Sequence, residues 1–595
     1  MLCGTLSSYY SRSISSFDSL VISGEKDVKS YLLNGDGFCK SVINCRKRMK
    51  SFAFSKNIIT FAKNMFEEGN DMEEKKDIGT MKYPLGVQTF EKMRNGGCVY
   101  IDKTEMIYKM VTEGCYYFLG RPRRFGKSLL VSTLEAYFSG KKELFEDLAI
   151  YEMETKWEKY PVFHLNFAGE NYQQPDALEK KLNKFLKQYE AEYDIPYEDD
   201  TLSGRFETII QKASEKTEKQ VVILVDEYDK PILDLLGHEE IEETNRAMLK
   251  AFYGVMKSQD EYIRFGFLTG VTKLGKVSVF SDLNNITDVS LSDDYATICG
   301  VTEEELHNVF DDEVEAMAQK GKMTKEECYA KLAKQYDGYH FGEDVPGVYN
   351  PYSLLRALSD KKFGDYWFET GTPTHLIKIL NTYLPELPDL SDIEVPKDGF
   401  GAVESYKTDI LPLLYQSGYL TLRQDCNDEY FYYLKFPNRE VETGFVNRLI
   451  PLYTSVAEEK SKYYIGWFAQ DLRKGDVDMF LKRMKTFFDG GDYRLAGDKE
   501  VHFHNCFTIV CRLLGLACQA ESANSNGRCD LIVQTSKFVY VIEFKHDGSA
   551  EEALKQINDK DYAKPFALDD RKLYKIGINF SSELRSINEW KIEER

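Results

Sequence analysis

Gly126-Lys127-Ser128 closes a loop rich in Arg and Gly, within YYFLGRPRRFGKS over residues 116–128. These residue types in this order suit phosphate chemistry. A residue without a Cβ lets backbone N–H groups come close to a phosphate, and the N-terminus of a following helix adds partial positive charge. Lys127 is long enough to reach β- and γ-phosphates, and the Ser128 hydroxyl suits Mg2+. The usual pattern asks for a glycine five positions before Gly126, but Arg121 stands there and Gly120 comes one residue early. Arg123 and Arg124 lie beside the loop, in reach of a nucleotide or of a neighbouring subunit in a homo-oligomer.

Two further sets of residues carry chemistry. In QVVILVDEYDKP, Asp226 and Glu227 follow five apolar residues. A carboxylate at such a strand end is placed to hold Mg2+, and the next one to orient or deprotonate an attacking water. Thr269, and after it Thr272, end another apolar run and offer a hydroxyl to a γ-phosphate. Near the C-terminus, Asp530 precedes Glu543-Phe544-Lys545. Two carboxylates on adjacent strands can hold Mg2+ or Mn2+, and Lys545 can activate water or steady a charged transition state.

The elements that must position these groups follow from pattern. Residues 116–119 and 221–225 read as buried strands of a parallel sheet, and 129–138 as a helix. Strand, glycine loop and helix give the phosphate loop its context. The apolar run at 262–268 predicts a strand beside that of Asp226. Thr302 with Glu305 forms a capping box at the head of a helix over 301–320, and a second helix covers 325–336. The Tyr336–Phe341 and Tyr349–Pro351 stretches are turn chemistry, with His340 a packing residue. Residues 410–422 and 430–436 predict a helix plus β-hairpin, similar to a winged helix. Its acidic turn, Asp425, Asp428 and Glu429, favours a lid or relay over DNA binding. Helices fill 441–489, a helix covers 501–516, and strands at 517–521, 531–533, 538–544 and 572–580 surround a helix over 548–559.

FLGRPRRFGKSLLVSTLEAYF, VDEYDKP and FLTGVTKLGKVSVFSDLNNITD resemble the AAA-ATPase-like family, and the Asp…Glu-x-Lys pattern resembles the PD-(D/E)xK nuclease superfamily. The resemblance runs from about residue 81 to the end and includes the missing first glycine. It implies an α/β multidomain chain. An extension over 1–80 precedes a P-loop domain over 81–290, a helical and winged-helix-like region over 291–490 and a nuclease-like domain over 495–595. It also implies ATP and Mg2+ as cofactors, with Gln556 and Tyr562 as lesser helpers of the nuclease-like site.

The 595 residues are too many for one core. A net charge of −20 excludes a general nucleic-acid coat, so DNA contact requires a local basic groove. The 12 cysteines include no CxxC pair, which fits reduced thiols; Cys506, Cys511 and Cys518 read as core. No apolar run is long enough to span a membrane, and no signal pattern opens the chain, so a cytoplasmic location is expected. The function expected is ATP hydrolysis coupled to metal-dependent cleavage of DNA in genome maintenance or defence. The alternative is a nucleotide switch with a non-cleaving nuclease fold.

Overall fold

The computed structural model describes residues 82–595 except 197–200, 236–237, 274–284, 370–392, 399, 401–409, 425–427, 454–457, 490–509, 511–518, 523–528 and 585. The extension over 1–80, Asp425, Cys506, Cys511, Cys518 and, apart from Val510, the helix expected over 501–516 lie outside the described residues.

Five parallel strands form the first sheet: β1 (Tyr116–Gly120), β2 (Val162–Asn166), β3 (Val221–Asp226), β4 (Ile263–Gly270) and β5 (Thr287–Asp288). Their order is β2-β3-β4-β1-β5. The phosphate-loop strand β1 and the acidic strand β3 are therefore not neighbours, and β4 runs between them. The register pairs Leu119 with Thr269 and Val225 with Leu268, so the three strand tips end level with one another. Val222 and Leu224 enter one apolar cluster while Val221, Ile223 and Val225 enter another. Both faces of the sheet are thus covered, which is why its central strands are apolar without alternation. Helix α1 (Lys127–Phe138) starts directly after the phosphate loop, and most of its residues are buried. The opposite face carries α2 (Ala177–Glu192), α3 (Leu202–Thr217) and α4 (Glu239–Ser258).

The middle of the chain begins with α5 (Glu303–Gly321), whose capping box joins Thr302 and Glu305 as the spacing requires, followed by α6 (Lys325–Tyr336). The expected helix and hairpin are present. Strand β6 (Ile393–Pro396) comes before α7 (Leu411–Gln416), β7 (Thr421–Leu422) and β8 (Phe431–Lys435). The hairpin is enlarged by β6, which pairs with β8 to make a three-stranded sheet. Gly418 turns the chain from α7 toward β7 with φ 86°. Helices α8 (Arg439–Tyr453), α9 (Glu458–Lys474) and α10 (Val477–Phe488) lead onward.

The C-terminal sheet contains β9 (Gln519–Ser522), β10 (Leu531–Gln534), β11 (Phe538–His546), β12 (Lys572–Ser581) and β13 (Ser586–Glu594), in the order β13-β12-β11-β10-β9. Helix α11 (Ala550–Asp559) covers one face, where Ile557 packs with Val539 and Val541. Tyr540, Ile542 and Phe544 alternate to the other face and join the apolar cluster that holds Phe480 and Met484 of α10.

Candidate functional site

The phosphate loop is held from below by Arg121. This side chain is 1% exposed and donates to the carbonyls of Gly120, Ser290, Tyr295 and Ala296 at 2.8–3.4 Å. The guanidinium lies 4.2 Å from the Phe341 ring centroid. The residue in place of the expected glycine is therefore a buried strut joining the loop to the segment after β5. Arg124 has φ 70° and Gly126 φ 93°, so the loop passes twice through left-handed backbone. A Cβ built at Gly126 would meet nothing within 4 Å, so glycine serves backbone conformation there, and the space beside it is open.

Lys127 is buried, and its ammonium donates to the carbonyls of Arg121 at 2.9 Å and Pro122 at 3.0 Å. Burial pulls its pKa below the ordinary lysine range, opposed by the charges of Asp226, Asp229 and Glu227. Asp226 is 1% exposed. Its Oδ2 accepts from Asn166 at 3.3 Å, while Oδ1 is buried with no partner. An orphaned carboxylate oxygen within the electrostatic reach of a buried ammonium suits a divalent cation carried with a phosphate. Ser128 lines the same cavity. Glu227 has φ 54°, a strained conformation for a side chain of this size. Burial, then Asp226, raises its pKa, which makes its carboxylate a better proton acceptor.

Lys127, Ser128 and Glu227 face a cavity of about 790 Å³, whose wall also includes Arg123, Arg124, Gly126 and Asp229. Asp226 and Thr269 are buried and do not line it. The expectation that Thr269 presents a hydroxyl to a phosphate is not met: its Oγ1 donates to the Leu119 carbonyl at 2.7 Å and is buried within the sheet. Thr272 is likewise engaged, donating to Asp229 Oδ2 at 3.0 Å. Asp229 was not singled out from sequence. It is three residues beyond Asp226, in what reads as a helix-starting turn. The far side of the cavity is lined by Tyr352, Trp367, Leu413 and Tyr419 of the middle region. Arg124 stacks over Tyr352 at 5.0 Å, and the Trp367 indole donates to the Arg123 carbonyl at 3.1 Å. His340 packs as expected, and burial lowers its pKa.

In the C-terminal sheet, Asp530 and Glu543 meet where β10 and β11 pair. The Asp530 N–H donates to Glu543 Oε2 at 3.2 Å, and the Phe544 N–H donates to Asp530 Oδ2 at 2.8 Å. Lys545 Nζ lies 3.6 Å from Glu543 Oε1 and donates to Gln556 Oε1 at 2.6 Å. Gln556 also donates to Glu543 Oε1, and its amide lies 3.4 Å from the Tyr562 hydroxyl. Gln556 is therefore the centre of the cluster, although its spacing to Tyr562 had argued for a minor part. The turn after α11 brings Tyr562 back, with its N–H on the Ile557 carbonyl at 3.1 Å. Burial, then Asp530, raises Glu543 to a pKa of about 7. Among the described residues no three His, Cys, Asp or Glu side chains gather as a ready-made metal cage. One or two carboxylates at each site, completed by phosphate oxygens and water, match the way Mg2+ is usually bound. Among the same residues no helix is long and apolar enough to cross a membrane.

Residues 84–280 match the family described as a predicted AAA-ATPase, and residues 498–590 match the PD-(D/E)XK nuclease superfamily. The chain is 33% identical over 516 residues to an uncharacterized protein in the vnfD 5' region of Azotobacter chroococcum mcd 1, an alignment covering 85% of this chain and 98% of that one. The first match covers β1 to β4 of the parallel sheet and the second most of the C-terminal sheet, and the chain belongs to the AAA-ATPase-like family that carries a C-terminal PD-(D/E)XK domain.

Proposed function

We propose that the chain hydrolyses ATP in the cavity beside Lys127 and cleaves DNA phosphodiesters at the Asp530–Glu543 cluster, with the first reaction governing the second. The observation that carries this reading is a buried ammonium in the wall of an open cavity, within the electrostatic reach of Asp226, whose Oδ1 is buried without a partner. Lys127 exchanges its two loop carbonyls for phosphate oxygens, and the loop N–H groups orient the chain of phosphates. Ser128 and Asp226 would hold Mg2+, which would supply charge neutralisation. Glu227 takes the proton of the attacking water, the new bond forms to the γ-phosphorus, and the bond from that phosphorus to the ADP oxygen breaks. At the second site Asp530 and Glu543 would hold one Mg2+ or Mn2+, which would supply Lewis acidity. Lys545 is the cation beside the scissile phosphate, and Gln556 keeps it oriented.

Two comparisons test the proposal. Lys127→Ala is expected to abolish ATP binding and turnover, and binding as tight as wild type refutes the ATP site. Metal-dependent cleavage of plasmid and single-stranded DNA is expected from wild type and not from Asp530→Ala or Glu543→Ala. Equal activity in all three proteins would leave a nucleotide switch with a non-cleaving nuclease fold.

A further inference from the structure

Asp229 is 1% exposed, lines the nucleotide cavity, and has no part in the chemistry above. Its Oδ2 accepts three hydrogen bonds: from the N–H of Val271 at 2.9 Å, the N–H of Thr272 at 2.6 Å and the Thr272 hydroxyl at 3.0 Å. The adjacent Tyr228 adds two ties to the same segment. Its N–H donates to the Thr269 carbonyl at 3.1 Å and its hydroxyl to the Thr272 carbonyl at 2.8 Å. A Cβ at Gly270 would stand 2.4 Å from Asp229 Oδ1, so the clamp closes only over a glycine. Neutral side chains could tie down a turn, but here an ionisable carboxylate does so, in the wall that also holds Lys127.

The clamped segment runs straight into Lys273. Its N–H donates to Gln416 Oε1 at 2.9 Å, and its ammonium meets Asp288 Oδ2 at 2.7 Å. Gln416 is the last residue of α7, and the turn after it packs against the phosphate loop: a Cβ at Gly418 would lie 2.6 Å from Pro122 Cβ. One route therefore leads from the cavity wall through Asp229, Thr272 and Lys273 to the helix that lies between β6 and β7 in the chain.

We propose that Asp229 is a positioning residue that sets the 270–273 segment and, through the Lys273–Gln416 hydrogen bond, makes the seat of α7 respond to charge in the phosphate site. This inference rests on the ATP reading. A triphosphate and its cation change the field at a carboxylate that anchors three donors, and a shift of that carboxylate moves the backbone it holds. By linkage, the seat of α7 alters nucleotide affinity in return.

The test is hydrogen exchange of residues 411–422 in the full chain, with and without MgATP, beside steady-state ATPase kinetics. Wild type is expected to show slower exchange there when MgATP is present. Gln416→Leu is expected to bind a fluorescent ATP analogue within about 3-fold of wild type and lose the exchange response, since one part-buried hydrogen bond away from the phosphates is worth little to affinity. Gln416→Glu retains an acceptor and restores the response. Asp229→Asn is expected to lose the response and to lower kcat by ~10- to 100-fold, more than it raises KM, as for loss of a charge-assisted bond. Thr272→Val removes one of the three donors and carries the same test with a smaller drop if Asp229→Asn does not fold. An exchange response absent from wild type, or intact in Gln416→Leu, overturns the inference. Failure of wild type to bind MgATP overturns the ATP reading instead.

Discussion

Asp337 ends α6 with a largely buried carboxyl whose Oδ1 has no partner, and burial raises its pKa to about 6. A carboxyl raised in the folded state favours folding while protonated. That contribution is complete below about pH 4 and is lost as pH rises through 6. Asp337→Asn is therefore expected to raise stability at pH 8 by up to about 3 kcal/mol and to change little at pH 4, as urea titrations at the two pH values would show. Glu543 titrates higher still, at about 7. Mn2+ binding should release a proton from it, more completely at pH 6 than at pH 8.5. Calorimetry in buffers of different ionisation heat checks this, and Glu543→Gln should release none. At this scale the sequence showed Lys127, Asp226, Glu227, Asp530, Glu543 and Lys545, because each sits at the end of an apolar run or in a short spaced pattern. Asp229 was invisible because its partners Val271 and Thr272 lie 42 and 43 positions away. Thr269 was misread because strand position does not tell which way a hydroxyl turns when a neighbouring carbonyl is available.

Helix α11 lies on the C-terminal sheet at a spacing that one missing methyl group allows. A Cβ at Gly577 of β12 would come within 2.2 Å of the Ala550 carbonyl oxygen and 2.7 Å of the Leu554 nitrogen. Both are backbone atoms, so the helix must move to make room. Gly577→Ala is expected to cost ~1–3 kcal/mol by overpacking, read from denaturant midpoints. It should also withdraw Gln556 from Lys545 and lower the proposed metal-dependent DNA cleavage by more than the lost stability explains. The strands around these sites were legible where apolar residues run unbroken, as from Val221 to Val225, and where a turn separates two such runs, as between β10 and β11. Strand β6 was not legible: it is four residues long, ends in Pro396 and joins β8 from upstream. Strand β5 has two residues and pairs only through its register with Tyr117 and Phe118, which no local pattern announces.

Across the molecule the two sheets are joined by helices that touch both ends of the path. Trp367 donates its indole N–H to the Arg123 carbonyl and its backbone N–H to Glu440 Oε1, at the start of α8. Farther on, the Tyr540 hydroxyl donates to the Leu472 carbonyl of α9 at 2.5 Å, and Lys485 of α10 donates to the Ile587 carbonyl at 2.5 Å. Such continuity predicts that MgATP stabilises more than the sheet it binds. At 100 times Kd, ligand adds about 2.7 kcal/mol to whatever unfolds as one unit. Hydrogen exchange along a urea titration should therefore move the midpoints of residues 221–226 and 538–546 together. A shift confined to 221–226 would mean that the modules unfold separately. The interior strand β1, flanked by β4 and β5, also has a consequence for how the protein is made. Its neighbours β4 and β5 are both encoded downstream, and the Gly120 N–H finds its partner, the Ser290 hydroxyl, 170 residues later. At ribosomal speeds of about 5–20 residues per second, the phosphate loop waits roughly 10–30 seconds before its supporting partners emerge. A nascent chain stalled before residue 263 exposes both edges of β1 and is a natural client for chaperones.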